Sequence, residues 1–193
     1  MLAQLGVEHR IAPVDIDEAH RAGEAPAEYV RRLAIAKAET LWNSLLEQDR
    51  LPVLGSDTTV ALGNEVLGKP ADRKDGLDML RRLSGRTHQV HTAVALRHAG
   101  GSAFRVSASD VTFRALSRGE MEAYWNTGEP VDKAGGYAIQ GRAAVFIEHM
   151  AGSYSGIVGL PLFETAELLR MIGYSFLTTD DSQSAAPRVE GNG

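Results

Sequence analysis

The sequence predicts an α/β protein whose mixed, twisted sheet is flanked by helices. Three observations carry that prediction. An apolar stripe of helical period, Val30, Leu33, Ala34, Leu41 and Leu45, follows Pro26. Val90, Thr92, Val94 and Leu96 alternate along one face of a stretch that turns at Gly100-Gly101 into a second strand. Gly63-Asn64, a two-residue hairpin signal, separates two further short runs.

Element by element, residues 1–5 read as a helical turn closed by Gly6, and residues 7–14 as a strand. Residues 15–25 form an acidic loop. Pro26 suits a first helical position, and the helix it opens is expected to reach about residue 47. Residues 52–54 are a short buried strand that ends in Gly55-Ser56-Asp57-Thr58. Residues 59–62 and 65–67 flank the hairpin. A helix at 75–83 stops at Ser84-Gly85, and strands follow at 88–98 and 104–113. Ser117 and Glu120 have the spacing of a capping box, which opens a helix through Trp125. Residues 137–140 and 144–149 are expected as strands, and a helix runs from Pro161 to Ile172. Residues 1–177 form one domain. Residues 178–193 are rich in Asp, Ser, Gln, Pro, Gly and Asn and are expected to be a disordered tail.

Composition narrows the function. With 193 residues and 44% hydrophobic content, the chain can build one large domain or two small lobes. Twenty basic against 25 acidic residues give a net charge of −5, which argues against binding nucleic acid or an anionic membrane. The absence of cysteine removes disulfides, cysteine-ligated metal and a thiol nucleophile. No apolar run is long enough for a membrane span and no signal peptide stands at the start, so a cytoplasmic setting is expected.

Gly63-x-x-x-x-Gly68-Lys69 approaches a phosphate-binding P-loop, but Pro70 stands where a metal-holding hydroxyl is needed and removes a backbone donor. Lys69 remains a phosphate-binding candidate. Asp15, Asp17 and Glu18 form an acidic cluster. His20 occupies the position where an EF-hand needs glycine, leaving a solvated loop or a site that holds magnesium together with substrate phosphates. Lys37 lies on the apolar stripe of its helix, where an ammonium must snorkel or meet an anion. Asp57 follows an apolar strand, where a carboxylate either forms an Asx turn or helix cap or, in α/β sheets, faces a ligand crevice. His88 and His91 are three apart on a strand and point to opposite faces, so they cannot share a metal. No Gly-x-Ser-x-Gly elbow occurs.

Five strings in order resemble the Maf family of nucleoside triphosphate pyrophosphatases. They are Ser56-Asp57-Thr58, Gly68-Lys69-Pro70, Leu83-Ser84-Gly85-Arg86-Thr87-His88-Gln89-Val90, residues 128–141 (GEPVDKAGGYAIQG) and Val158-Gly159-Leu160-Pro161-Leu162. The resemblance covers residues 1–177. It implies two lobes with a central cleft, often in a homodimer, and hydrolysis of a nucleoside triphosphate to the monophosphate and pyrophosphate with a divalent cation, Mg2+ or Mn2+. It implies that Asp57 is the catalytic proton acceptor and a metal ligand. Glu18 matches the family's cleft carboxylate, and Lys37 and Lys69 match its phosphate-side lysines. Thr58 and Gln140 match the subgroup acting on dTTP and UTP. The subgroup acting on 7-methyl-GTP carries Asp-Gln and Glu there instead. A Gln amide can accept from a uracil N3–H and donate to O4. The family pattern opens with a strand and a Ser-x-Ser-Pro-Arg-Arg loop that this sequence does not contain, so the resemblance also allows a non-catalytic, nucleotide-binding relic linked to cell division.

Overall fold

Pro26 stands at the first position of helix α1 (Pro26–Ser44) in the computed structural model of the chain, which describes residues 1–177. Val30, Leu33, Ala34, Ala38 and Trp42 form its buried face. Leu45 is already extended, with φ −84° and ψ 143°, so the helix stops short of residue 47. Strand β1 (Val53–Leu62) turns at Gly63-Asn64 into the short β2 (Glu65–Leu67). Gly63 has a φ of 63°, which the hairpin turn requires. Helix α2 (Arg73–Leu83) begins at Asp72, whose carboxylate accepts from the Asp75 N–H. Strands β3 (Thr87–His98) and β4 (Gly101–Phe113) form the predicted hairpin. Helix α3 (Arg118–Trp125) carries the predicted capping box, with Ser117 and Glu120 reciprocally bonded. Strand β5 (Ile147–Ala151) and helices α4 (Tyr154–Val158) and α5 (Leu162–Met171) complete the described chain.

The strand order is β2-β1-β3-β4-β5. The α/β class stands, but the mixed sheet expected from the sequence is antiparallel at every described pairing. β2 pairs only with Val60, Ala61 and Leu62, so among the described residues the outer edge of β1 has no strand partner from Val53 to Thr59.

Two lobes share the long strands. At one end, α1 packs on Val53, Ala93 and Ala95. At the other, Val60, Val90, Val111 and Phe113 join Leu80, Leu83, Tyr124 and Tyr137 in a larger core. A third group, Val94, Leu96 and Leu168, holds α5 to the sheet. Small residues let α1 come close. A Cβ on Gly55 would lie 2.3 Å from the Ala34 carbonyl oxygen and 2.7 Å from the Ala38 nitrogen.

Several local expectations change. Residues 7–14 pair with none of the described strands, and Ile11 is 89% exposed. The run reads as a strand in the sequence, but the fold brings it against none of the described strands. Asp57 lies within β1 rather than at its end, because the ladder to β3 continues unbroken from Val53 to Ala61. Residues 137–140 form no strand. Gly135 and Gly136 precede them at φ 66° and 69° and fold the chain into a buried turn. Arg142–Phe146 is a 3-10 turn, and only Ile147 onward joins the sheet. Ser153 caps α4 by accepting from the Gly156 N–H, a helix start that the sequence reading passed over. The expected tail, residues 178–193, lies outside the described residues. Among the described residues no helix is long and apolar enough to cross a membrane.

Candidate active site

Asp57, Lys37 and Glu18 meet on the α1 face of the sheet. The Lys37 ammonium lies 2.7 Å from Asp57 Oδ1 and 2.8 Å from Glu18 Oε1. Lys37 comes from the fourth turn of α1, between Ala34 and Ala38, the small residues that bring the helix against β1. Its amphipathic stem crosses the packed surface, and its head ends between two carboxylates. Glu18 sits on the preceding loop, which α1 holds in place. Arg32 grips Glu24 through two parallel bonds of 2.7 and 2.8 Å and donates to the Ala19 carbonyl at 3.0 Å. Tyr29 donates to the Glu18 carbonyl at 2.9 Å. Asp17 accepts from the Ala19 N–H at 2.9 Å. Of the acidic cluster, Glu18 is the residue that bonds to Lys37.

The three charges are not equally settled. Burial pushes the Asp57 carboxyl up, and the Glu18 charge adds to that rise against the pull of Lys37 and Lys69. Burial opposes the Lys37 charge, but hydrogen bonds to Asp57 and Glu18 outweigh it and raise the ammonium. The Lys37 hydrogen bond lowers Glu18, with further help from Lys69. The ammonium has two anions, whereas part-buried Asp57 shares Lys37 with a second carboxylate. Of the two carboxyls, Asp57 is the one whose proton affinity is raised, and Glu18 the one whose affinity is lowered.

Thr58 points to the opposite face, as successive strand residues must. There it lines a cavity of about 200 Å³ with Val60, Val90, Tyr137, Gln140 and Lys69. Thr58 Oγ1 lies 2.9 Å from the Oγ1 of Thr92, its direct partner on β3. Gly135 donates to the Gly68 carbonyl at 2.9 Å, which fastens the segment leading to Lys69. The Gln140 turn is held from behind. Tyr124 donates to Glu129 Oε1 at 2.7 Å and accepts from the Ala138 N–H at 3.2 Å, and the Arg142 N–H donates to Glu129 Oε2 at 2.9 Å. Gln140 and Lys69 are exposed at the cavity wall.

The six residues singled out in the sequence thus divide into an acid–ammonium–acid group and a cavity group. Lys69 links them, since it lines the cavity while its charge reaches Glu18 and Asp57. Sequence reasoning missed Thr92, the Tyr124–Glu129 brace and the Arg32–Glu24 clamp. Only the brace had a visible signal, because Glu129 is the second residue of the GEPVDKAGGYAIQG string.

A cavity with apolar walls and a lysine at its rim, beside two carboxylates joined by an ammonium, suits a cleft enzyme for a small anionic substrate. The chain belongs to the Maf family: the family model, described as Maf-like protein, matches residues 1–172. It is 54% identical over 172 residues to a protein of Alkalilimnicola ehrlichii named dTTP/UTP pyrophosphatase, covering 88% of this chain and 85% of that one. A Saccharophagus degradans protein of the same name is 54% identical over 170 residues, covering 88% and 81%. One from Hahella chejuensis is 52% identical over 173 residues, covering 90% and 86%.

Proposed function

We propose that this protein hydrolyses nucleoside triphosphates, dTTP and UTP foremost, to the monophosphate and pyrophosphate. The observation that carries the reading is the Glu18–Lys37–Asp57 group lying next to the Thr58–Gln140 cavity. The relatives' shared name supports it. Asp57 and Thr58 stand side by side where β1 has no described partner on its outer edge. One nucleotide crossing that edge can place its base against Thr58 and its phosphates towards Asp57.

In this reading Asp57 accepts a proton from water as the water oxygen bonds to the α-phosphorus. The bond from that phosphorus to the bridging oxygen breaks, and the electron pair leaves with pyrophosphate. Its elevated affinity for protons suits Asp57 to the task. Lys69 and Lys37 lie where they can offset charge gathering on the phosphoryl oxygens. Gln140 and Thr58 meet the polar edge of the base, and Val60 and Val90 contact its faces.

The donor set also fits a divalent cation. Two carboxylates already converge on one cationic group, and magnesium is commonly held by one or two carboxylates together with substrate phosphates. Glu18 and Asp57 would hold it. Among the described residues no group of three His, Asp or Glu side chains could hold a metal ion. Bound there, a cation would supply positive charge to the reacting phosphates.

A panel of triphosphates tests the substrate. Pyrophosphate release with magnesium should be fastest with dTTP and UTP, and about tenfold or more slower with 7-methyl-GTP, for which the Thr58–Gln140 pair lacks a matching edge. A panel led by the methylated purine overturns the assignment.

A further inference from the structure

We infer that Thr92 sets the hydrogen-bonding sense of Thr58, making it an acceptor that selects a base with an N–H at ring position 3. The inference deepens the proposed function and rests on it.

The argument is a count of protons. Thr92 is 1% exposed, and its Oγ1 lies 2.7 Å from the Gly156 carbonyl oxygen. A carbonyl only accepts, so the single Thr92 hydroxyl proton is committed to it. Thr58 Oγ1 lies 2.9 Å from Thr92 Oγ1, and of these two hydroxyls only Thr58 still has a proton to give. Thr58 therefore donates inward to Thr92, and what it shows the cavity is lone pairs. The relay runs from β1 through β3 to α4, three elements that fix it by packing rather than by ligand binding.

An acceptor facing the cavity has two consequences. Phosphate oxygens are acceptors too, so Thr58 repels them, and the phosphates are left to Lys37 across the β1 edge and to Lys69 at the cavity rim. Among pyrimidines, uracil and thymine carry N–H at position 3, whereas cytosine carries a lone pair there. Against Thr58 the imide makes a hydrogen bond and cytosine leaves two acceptors facing each other. Gln140, on the same wall, remains free to donate to the neighbouring carbonyl of the base.

Thr92 is thus a positioning residue, and the readout is the ratio of kcat/KM for UTP to that for CTP. In Thr92→Val the Thr58 hydroxyl is released and can turn its proton into the cavity. The ratio should fall about tenfold, partly through a rise with CTP. Thr92→Ser keeps the relay and should keep the ratio. The Gly156 carbonyl still receives the Gly159 N–H at 3.0 Å, so the fold should survive the change to valine. Thr58→Val supplies an independent arm: it should lower UTP turnover about tenfold without raising CTP turnover. Folded Thr92→Val with an unmoved ratio overturns the inference, as does an unmoved ratio in Thr58→Val if the first variant fails to fold. No turnover of any triphosphate by the unaltered chain would sink the proposed function, and this role with it. Turnover of UTP with unmoved ratios sinks the role alone.

Discussion

Gly55 and Ala34 approach more closely than any side chain permits: a Cβ on Gly55 would lie 2.3 Å from the Ala34 carbonyl oxygen. Lys37 extends from the same helix, three residues further on, to the carboxylate of Asp57, two residues along the strand. The close contact of α1 with β1 thus sets the reach of the ammonium.

Gly55→Ala should separate helix from strand, because the obstructing atom is backbone and cannot rotate away. A packing cost of about 1–3 kcal/mol would lower the thermal midpoint by roughly 5 °C or more. Turnover should fall with it as Lys37 is drawn from Asp57. A variant with the parent's midpoint and rate would show that α1 does not need this approach.

Asp57→Asn should leave the fold intact and remove the proton acceptor. The side chains are nearly the same shape, and loss of one general base costs about 10²–10⁴-fold in rate. Pyrophosphate release and circular dichroism, measured together, check it. Near-normal turnover would assign the proton to another group.

Arg32→Met should loosen the loop that carries Glu18. Arg32 holds the Glu24 carboxyl at about 2, below its ordinary 4.5. The clamp is therefore complete above about pH 4.5 and is lost as pH falls towards 2. At neutral pH the variant should show faster proteolytic cleavage within residues 15–24 and a raised KM, with a smaller change in kcat. An unaltered cleavage pattern would mean that Tyr29 alone suffices.

Acid sensitivity between pH 6.5 and 4 should trace in part to His88. Its side chain is 2% exposed, and its Nε2 and the Tyr137 hydroxyl lie 2.8 Å apart. Burial depresses its pKa from 6.5 to about 4. The folded state therefore binds fewer protons than the unfolded state in that window, so stability is full above pH 6.5 and declines as pH falls. The loss approaches roughly 3 kcal/mol near pH 4. His88→Gln should flatten that part of the profile of thermal midpoint against pH. Parallel profiles for the parent and the variant would remove His88 from the account.

Much of the site was legible because its residues conflict with their local surroundings. Lys37 interrupts an apolar helical stripe, and Asp57 directly follows an apolar run. Such residues need partners, and each proved to be the other's. Glu18 could be chosen from its acidic neighbours only through the family resemblance. No local signal separated it from Asp15 and Asp17, since which of the three turns inward depends on the Arg32 and Tyr29 contacts that anchor the loop. The false strands at 7–14 and 137–140 have one lesson between them. Residue types show that a segment could pair, but pairing also needs a fold that brings the segment to an edge and a backbone that stays extended.

By itself the sequence determined what local chemistry controls: the start of α1 at Pro26, the Gly63-Asn64 turn, the β3–β4 hairpin, the capping box of α3, and the residue types available for phosphate chemistry. Those features depend on neighbours within a few positions, so they survive without the fold. The tertiary structure decided which faces the candidates occupy and which distant groups complete them. Asp57 and Thr58 are adjacent in sequence yet serve opposite sides of the sheet, because the pleat alternates. Thr92 and Gly156, far from Thr58 along the chain, decide where its proton goes, since a hydroxyl has one proton and only packing selects the acceptor that receives it.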